Sequence, residues 1–236
     1  MDSIEKALKE IARGRIVIVV DDESRENEGD LVADALLAAA DTVNFMAAHG
    51  RGLICVPMEQ KNLDELGLPP MTARNRDPHG TAFTVSVDHI ESTTGISASE
   101  RARTIQALAN PSSRSSDFRA PGHVFPLAAR AGGVLERRGH TEAAVDLVRL
   151  ARAHAAEASA ADPLSAAGAS AAANGPAQGR NAGVICEIMN EDGTMARRDD
   201  LERFALQHGL AMVSIAELAA WRYERESSVV ISFVGI

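Results

Sequence analysis

Six carboxylates fall within the ten residues Asp21-Asp22-Glu23-Ser24-Arg25-Glu26-Asn27-Glu28-Gly29-Asp30, directly after the apolar run Ile16-Val17-Ile18-Val19-Val20. Like charges at that density repel, so a fold must leave them in solvent or bring cations to them. If the chain stays extended, Glu26, Glu28 and Asp30 project from one face at period two. Such a row suits a hard cation such as Mg2+, which takes oxygen ligands and keeps several waters. A plain solvated acidic loop is the competing reading. An EF-hand is excluded: counted from Asp22, the sixth position is Asn27 where glycine is required, and ligand positions three and five are Ser24 and Glu26.

The rest of the composition describes an ordinary globule. With 236 residues, 45% of them hydrophobic and 24% charged, the chain is long and apolar enough to bury a core. Its formal charge of −9 argues against a nucleic-acid partner. An anionic substrate faces the same repulsion and needs a metal or a focused arginine cluster. No apolar run approaches the roughly 20 residues that span a bilayer. The start Met1-Asp2-Ser3-Ile4-Glu5-Lys6 lacks the basic and then apolar order of a secretory signal, so no membrane partner is expected. Cys55 and Cys186 each sit in an apolar run, which predicts buried, reduced thiols and a cytoplasmic protein.

Strand and helix patterns interleave along the chain, which predicts a mixed α/β or α+β class. Ile4, Ala7, Leu8 and Ile11 form a helical stripe ended by Gly14, before a strand over 16–20. Asp41 is a candidate cap for a helix carrying Val43, Phe45 and Met46, followed by a strand over 53–56. Residues 81–87 alternate as a half-buried strand does. Ser97 or Ser99 starts a helix through Leu108, stopped by Pro111. A short strand over 184–186 ends at Glu187. Asp199 opens a helix through His208, Gly209 ends it, and 211–215 is a further strand.

Residues 151–179 break this pattern. About half are alanine, few large apolar side chains are available to dock a helix, and Gly168, Gly175, Pro176 and Gly179 interrupt one. The stretch reads as a surface insertion without chemistry of its own. Just before it, Arg137-Arg138-Gly139-His140-Thr141 joins arginines to what reads as a helix start. Glycine admits a ligand to the backbone, a helix N-terminus favours anions, and arginine binds phosphate in a bidentate fork. That combination is a candidate phosphate cradle. His49, His79, His89, His154 and His208 carry no such company and read as structural or exposed.

Several motifs occur together and in order: the acidic run, Thr94-Gly95-Ile96-Ser97-Ala98, Arg119-Ala120-Pro121-Gly122-His123-Val124-Phe125-Pro126-Leu127, Gly132-Gly133-Val134-Leu135, Arg137-Arg138-Gly139-His140-Thr141-Glu142-Ala143 and Gly183-Val184-Ile185-Cys186-Glu187. In these motifs the chain resembles the 3,4-dihydroxy-2-butanone 4-phosphate synthase family of riboflavin biosynthesis, from about residue 3 to 222. The resemblance implies an α+β fold, a three-layer α/β/α domain on a mixed sheet, working as a homodimer with active sites near the subunit interface. It implies conversion of D-ribulose 5-phosphate into formate and L-3,4-dihydroxybutan-2-one 4-phosphate with Mg2+ or Mn2+. Glu26 and His140 would hold the metal. Arg25, Glu26, Asp30, Arg137, Arg138, Gly139, His140, Thr141 and Glu187 would meet the substrate, with His123 and Glu187 as acid/base residues and Thr94 and Ser97 as further contacts.

On this reading residues 1–225 form one synthase domain, interrupted at about 151–180 by the alanine-rich insertion. The tail 226–236 has no assigned role. Many family members are fused to GTP cyclohydrolase II. This chain lacks that partner's three-cysteine zinc site and the length for it, so only the first activity is expected. The alternatives are another metal-dependent sugar-phosphate isomerase or aldolase, separated by formate release, and a non-catalytic nucleotide- or RNA-binding module, which would need a basic face.

Overall fold

The computed structural model describes residues 1–161 and 179–234. The first helix, α1 (Ile4–Ala12), forms as its pattern predicts. Ile4, Ala7, Leu8 and Ile11 are all buried, the Ser3 hydroxyl accepts the Lys6 N–H at 3.2 Å, and Gly14 leaves the helix at φ +71°. Then come β1 (Val17–Val20), β2 (Gly29–Asp34), α2 (Ala40–Phe45), a π-helical turn (Met46–Gly50), β3 (Cys55–Glu59) and α3 (Gln60–Glu65). The second half adds β4 (Val87–His89), α4 (Ala98–Ala109), β5 (Phe118–Ala129), α5 (His140–Ala161), β6 (Gly183–Glu187), α6 (Arg198–His208), β7 (Ala211–Ser214) and α7 (Ile215–Val234).

The strands form one mixed sheet in the order β4-β5-β3-β6-β2-β1-β7. β1 with β7 and β3 with β5 are parallel; the other neighbours are antiparallel. Alternation along each strand sends side chains to two cores. Val17, Val19, Val32, Cys55, Leu127 and Ile185 pack under α1, α5 and α7. Ile18, Val20, Leu31, Val56, Val184 and Cys186 pack under α2, α3, α4 and α6. This is the expected α+β arrangement of three layers.

Several elements differ from the pattern reading. Of the strand expected over 81–87, residues 81–86 carry only isolated bridges, Phe83 to Leu127 and Thr84 to Pro70; the ladder begins at Val87 in β4 and shifts register between Val87 and Asp88. Asp41 sits in the first turn of α2 and caps nothing; the cap position is Ala39. The acidic run is not extended: it turns at 23–26, Asn27 takes φ +54°, and only Gly29 and Asp30 enter β2. Both cysteines are buried and free, as their apolar surroundings predict.

The insertion expected at about 151–180 falls mostly outside the described residues, as does the end of the tail. What is described shows how the chain re-enters the fold. Arg152 on α5 pairs with Asp34 at 2.8 and 3.0 Å and donates to the carbonyls of Gly179 and Arg180 at 2.8 and 2.7 Å. One buried guanidinium thereby ties α5, β2 and the approach to β6 together. Removing it would strand Asp34, a buried carboxylate, without its cation.

Candidate active site

The site lies where the β1–β2 loop meets the start of α5. The β2–β6 register sets Asp30 opposite Glu187, so two carboxylates share one face of neighbouring strands. Asp21 folds the loop in front of them. Its side chain is almost fully buried; Oδ2 accepts the Glu26 N–H and the Arg25 guanidinium, both at 3.0 Å, and Oδ1 accepts the Glu28 N–H at 2.8 Å. The loop so formed presents Glu26 to His140, whose Nδ1 lies 3.5 Å from Glu26 and 4.0 Å from Asp30.

Ligand atoms of Asp21, Glu26 and His140 all lie within 4.8 Å of one another. Both Asp21 oxygens are engaged by the loop they fold; Glu26 Oε2 accepts from Arg25 but Oε1 accepts no hydrogen bond among the described residues, so Glu26 and His140 are the less committed donors. His140 is buried, and its Nε2 has no hydrogen-bond partner among the described residues. A buried polar atom in that state costs free energy until something meets it. The neighbouring oxygens and imidazole nitrogen suit Mg2+ or Mn2+. The donor set therefore fits the implied metal.

The electrostatics follow from burial and crowding. Burial disfavours the His140 imidazolium, but Asp30, Glu26 and Asp21 outweigh it and push its pKa up to about 9. The hydrogen bond from His140, and then the charge of Arg25, hold Glu26 down to about 2 against its own burial. Burial raises Asp30 to about 7, opposed by His140 and reinforced by Glu187, Glu26 and Glu28. Burial also raises Glu28, with Arg197 opposing. Two nearby carboxylates thus sit at opposite ends of the range, which is how one site holds both a fixed charge and a group that exchanges protons.

A cavity of about 150 Å3 opens over these groups, walled by Arg25, Arg137, Thr141 and the apolar Phe83, Leu127 and Ile185. Arg137 is held by Glu142 at 2.6 Å and by the carbonyl of His79 at 2.9 Å. Gly139 makes this possible, because a Cβ there would collide with the Arg137 guanidinium and come within 2.8 Å of Glu142. Glu187 accepts the Leu53 N–H at 2.8 Å, and Gly52 must be glycine beside it, since a Cβ would lie 2.6 Å from that carboxylate. Arg138 is exposed and lies outside the cavity wall.

The remaining resemblance-implied residues gather elsewhere. His123 lies four residues before Leu127 on β5, roughly 13 Å along an extended strand, and does not line the cavity. Its Nδ1 meets Asp88 Oδ2 at 2.9 Å and its backbone N–H donates to Asp88 Oδ1 at 2.9 Å, while 43% of its side chain stays exposed. Gly95 abuts Asp88, where a Cβ would collide with the carboxylate. Thr94 and Ser97 therefore belong to the corner that holds His123. Ser97 caps α4.

Pattern reading missed Asp21, Asp88 and His79. Asp21 was visible only as one acid among six; its side chain accepts backbone N–H groups, which no side-chain pattern announces. Asp88 sits in a three-residue strand that gave no signal. His79 reads as a lone loop histidine, yet its Nδ1 lies 3.5 Å from Glu26.

Comparison with known proteins shows the family and the fold. A family model described as 3,4-dihydroxy-2-butanone 4-phosphate synthase matches residues 5–173 and 167–221. The riboflavin biosynthesis protein RibBA of Bacillus mycoides (strain KBAB4) is 51% identical over 226 residues, covering 96% of this chain and 50% of its own. The chain spans about half the length of the curated relatives it matches. Among solved structures, a 3,4-dihydroxy-2-butanone 4-phosphate synthase in complex with two magnesium ions is 38% identical with a TM-score of 0.81, over 96% of this chain and 99% of that one. The Candida albicans synthase is 39% identical with a TM-score of 0.77, over 94% and 97%. RibBX from A. baumannii, a two-domain synthase, is 41% identical with a TM-score of 0.79, over 94% and 58%.

Proposed function

Because the chain belongs to the 3,4-dihydroxy-2-butanone 4-phosphate synthase family, we propose that it is a lyase of riboflavin biosynthesis, converting D-ribulose 5-phosphate into L-3,4-dihydroxybutan-2-one 4-phosphate and formate. The observation that carries this reading is the meeting of Glu26 and His140, with Asp30 and Glu187 behind them and Arg137 beside them, in one cavity.

Arg137 and Thr141, at the N-terminus of the 22-residue α5, receive the substrate phosphate, where the helix dipole and a guanidinium both favour an anion. Arg138 and Gly139 complete that loop, one by its charge at the rim and the other by its lack of a side chain. Glu26 and His140 would hold a Mg2+ or Mn2+ ion, which would supply stabilisation of the charge that develops on substrate oxygens. Asp30, with its pKa near 7, takes and returns protons at neutral pH. Glu187 stands beside it, fixed by Leu53, as a second carboxylate lining the same cavity. Arg25 shields Glu26 and closes the rim.

His123 is too far along β5 to reach its own cavity. In a homodimer it serves the cavity of a second copy as an acid/base residue oriented by Asp88, with Thr94 and Ser97 on the same corner. The enzyme is cytoplasmic on this reading; among the described residues no helix is long and apolar enough to cross a membrane.

The direct test incubates purified protein with ribulose 5-phosphate and Mg2+ and measures formate. EDTA should stop release and added Mg2+ should restore it. Consumption of the pentose without formate would identify another sugar-phosphate enzyme. The interface role has its own test. Inactive His123→Ala and Glu187→Gln proteins, mixed and re-equilibrated, should recover about a quarter of normal activity, since half of the dimers then carry one intact site. No recovery would return His123 to a role within its own chain.

A further inference from the structure

A second cavity, of about 430 Å3, opens at the carboxyl ends of the parallel strands β3 and β5. In open sheets ligands collect outside such strand ends, and the volume falls within the roughly 300–1,000 Å3 usual for small-molecule sites. Four cations line it, Lys61, Arg130, Arg149 and Arg222, against two carboxylates, Glu59 and Asp146.

Both carboxylates are already engaged. Glu59 pairs with Lys61 at 2.7 Å and accepts from Asn181 at 2.8 Å. Asp146 accepts from Arg222 at 2.6 Å, from the Val134 N–H at 2.9 Å and from Arg149 at 3.3 Å. Arg222 is buried and further held by Glu226 and the Gly132 carbonyl, so it forms a fixed back wall. Arg130 and Arg149 are more exposed and stand at the mouth. With Glu226 counted, the four cations still outnumber their carboxylates by one, a local positive excess in a chain of net charge −9, and Ala129 and Val145 add an apolar wall.

We propose that this cavity is a second binding site, for a phosphorylated or otherwise anionic small molecule with an apolar portion. The site also touches the catalytic machinery through one residue. The Arg130 N–H donates to Glu142 Oε1 at 3.0 Å, and Glu142 Oε2 holds Arg137 at 2.6 Å.

The test is calorimetric titration of the EDTA-treated full chain with inorganic pyrophosphate, which needs no assumption about the reaction. Arg137→Gln isolates the second cavity by weakening the first. In that background pyrophosphate should still bind, and adding Arg130→Gln with Arg149→Gln should weaken it at least tenfold. Ala131→Trp, which narrows the mouth while every cation is kept, should do the same and stands in if the arginine variants misfold. Absence of binding in Arg137→Gln overturns the proposal, as does binding that survives both the arginine pair and Ala131→Trp. Neither result bears on formate release, so the proposed activity stands or falls separately.

Discussion

Two loops of this protein are each folded around a single carboxylate, and they differ in what they leave unsatisfied. Asp21 gathers the Glu26 and Glu28 N–H groups and the Arg25 guanidinium. Glu100 gathers the N–H and hydroxyl of Thr93, the Gly95 N–H and the Ser97 hydroxyl. Those bonds, led by Thr93, hold Glu100 down to about 2, and every polar group they gather is met within the loop. The Asp21 loop instead crowds Glu26, Glu28 and Asp30 around a buried histidine with an unmet nitrogen. The same device closes a structural turn in one place and holds charges in tension in the other. Satisfied polarity builds structure; unsatisfied polarity marks where a ligand belongs.

The sharpest way to break the contrast is to remove the tension itself. Glu26→Gln and Glu187→Gln should each cut formate release by about 10²–10⁴-fold, the range for losing a positioned proton-transfer or charged group, with the fold intact by circular dichroism. Near-normal turnover in either would take that residue out of the site.

Removing the two organisers compares them directly. Asp21→Ala should weaken Mn2+ binding by about 10–100-fold, as loss of a supporting residue commonly does, because Glu26 is then no longer held toward His140. Glu100→Ala should lower the melting temperature and leave Mn2+ affinity unchanged. Equal effects of the two variants on the metal would erase the distinction drawn here.

The last test is a pH dependence. His140 is raised to about 9 and Asp30 to about 7, so both carry a proton at pH 6. A cation must displace the His140 proton to bind its nitrogen, so Mn2+ affinity should rise with pH between about 6 and 9, levelling above that. Calorimetry in buffers of different ionisation enthalpy would count the protons released. In Glu100→Ala the same profile should persist, since that carboxylate is ionised throughout.

Much of the local structure was legible in the sequence. The stripe Ile4, Ala7, Leu8, Ile11 makes α1, Ser97 caps α4, and Gly209 ends α6 at φ +65°. These depend on neighbours within a few residues. β2 was missed because Gly29 and Asp30 read as the end of an acidic run, although every residue of that strand is buried. The long β5 was missed because Pro121 and Gly122 break its pattern. The site residues were legible as types and motifs, and less so as an arrangement: the resemblance grouped His123 with Glu187, whereas the chain places His123 at another corner with Asp88.

The sequence by itself determined the supply of chemistry: the carboxylates of 21–30, the arginines before α5 and the histidine that opens it, and a glycine where Arg137 must fold back. Only the tertiary structure decided which of them meet. Asp30 faces Glu187 because β2 and β6 pair in one register, and a shift of one residue would put them on opposite faces. His140 is driven up and Glu26 down because α5 begins against that pair, and a pKa depends on burial and on charges brought from a hundred residues away. Register and burial are properties of pairs distant in the chain, and no local pattern encodes them.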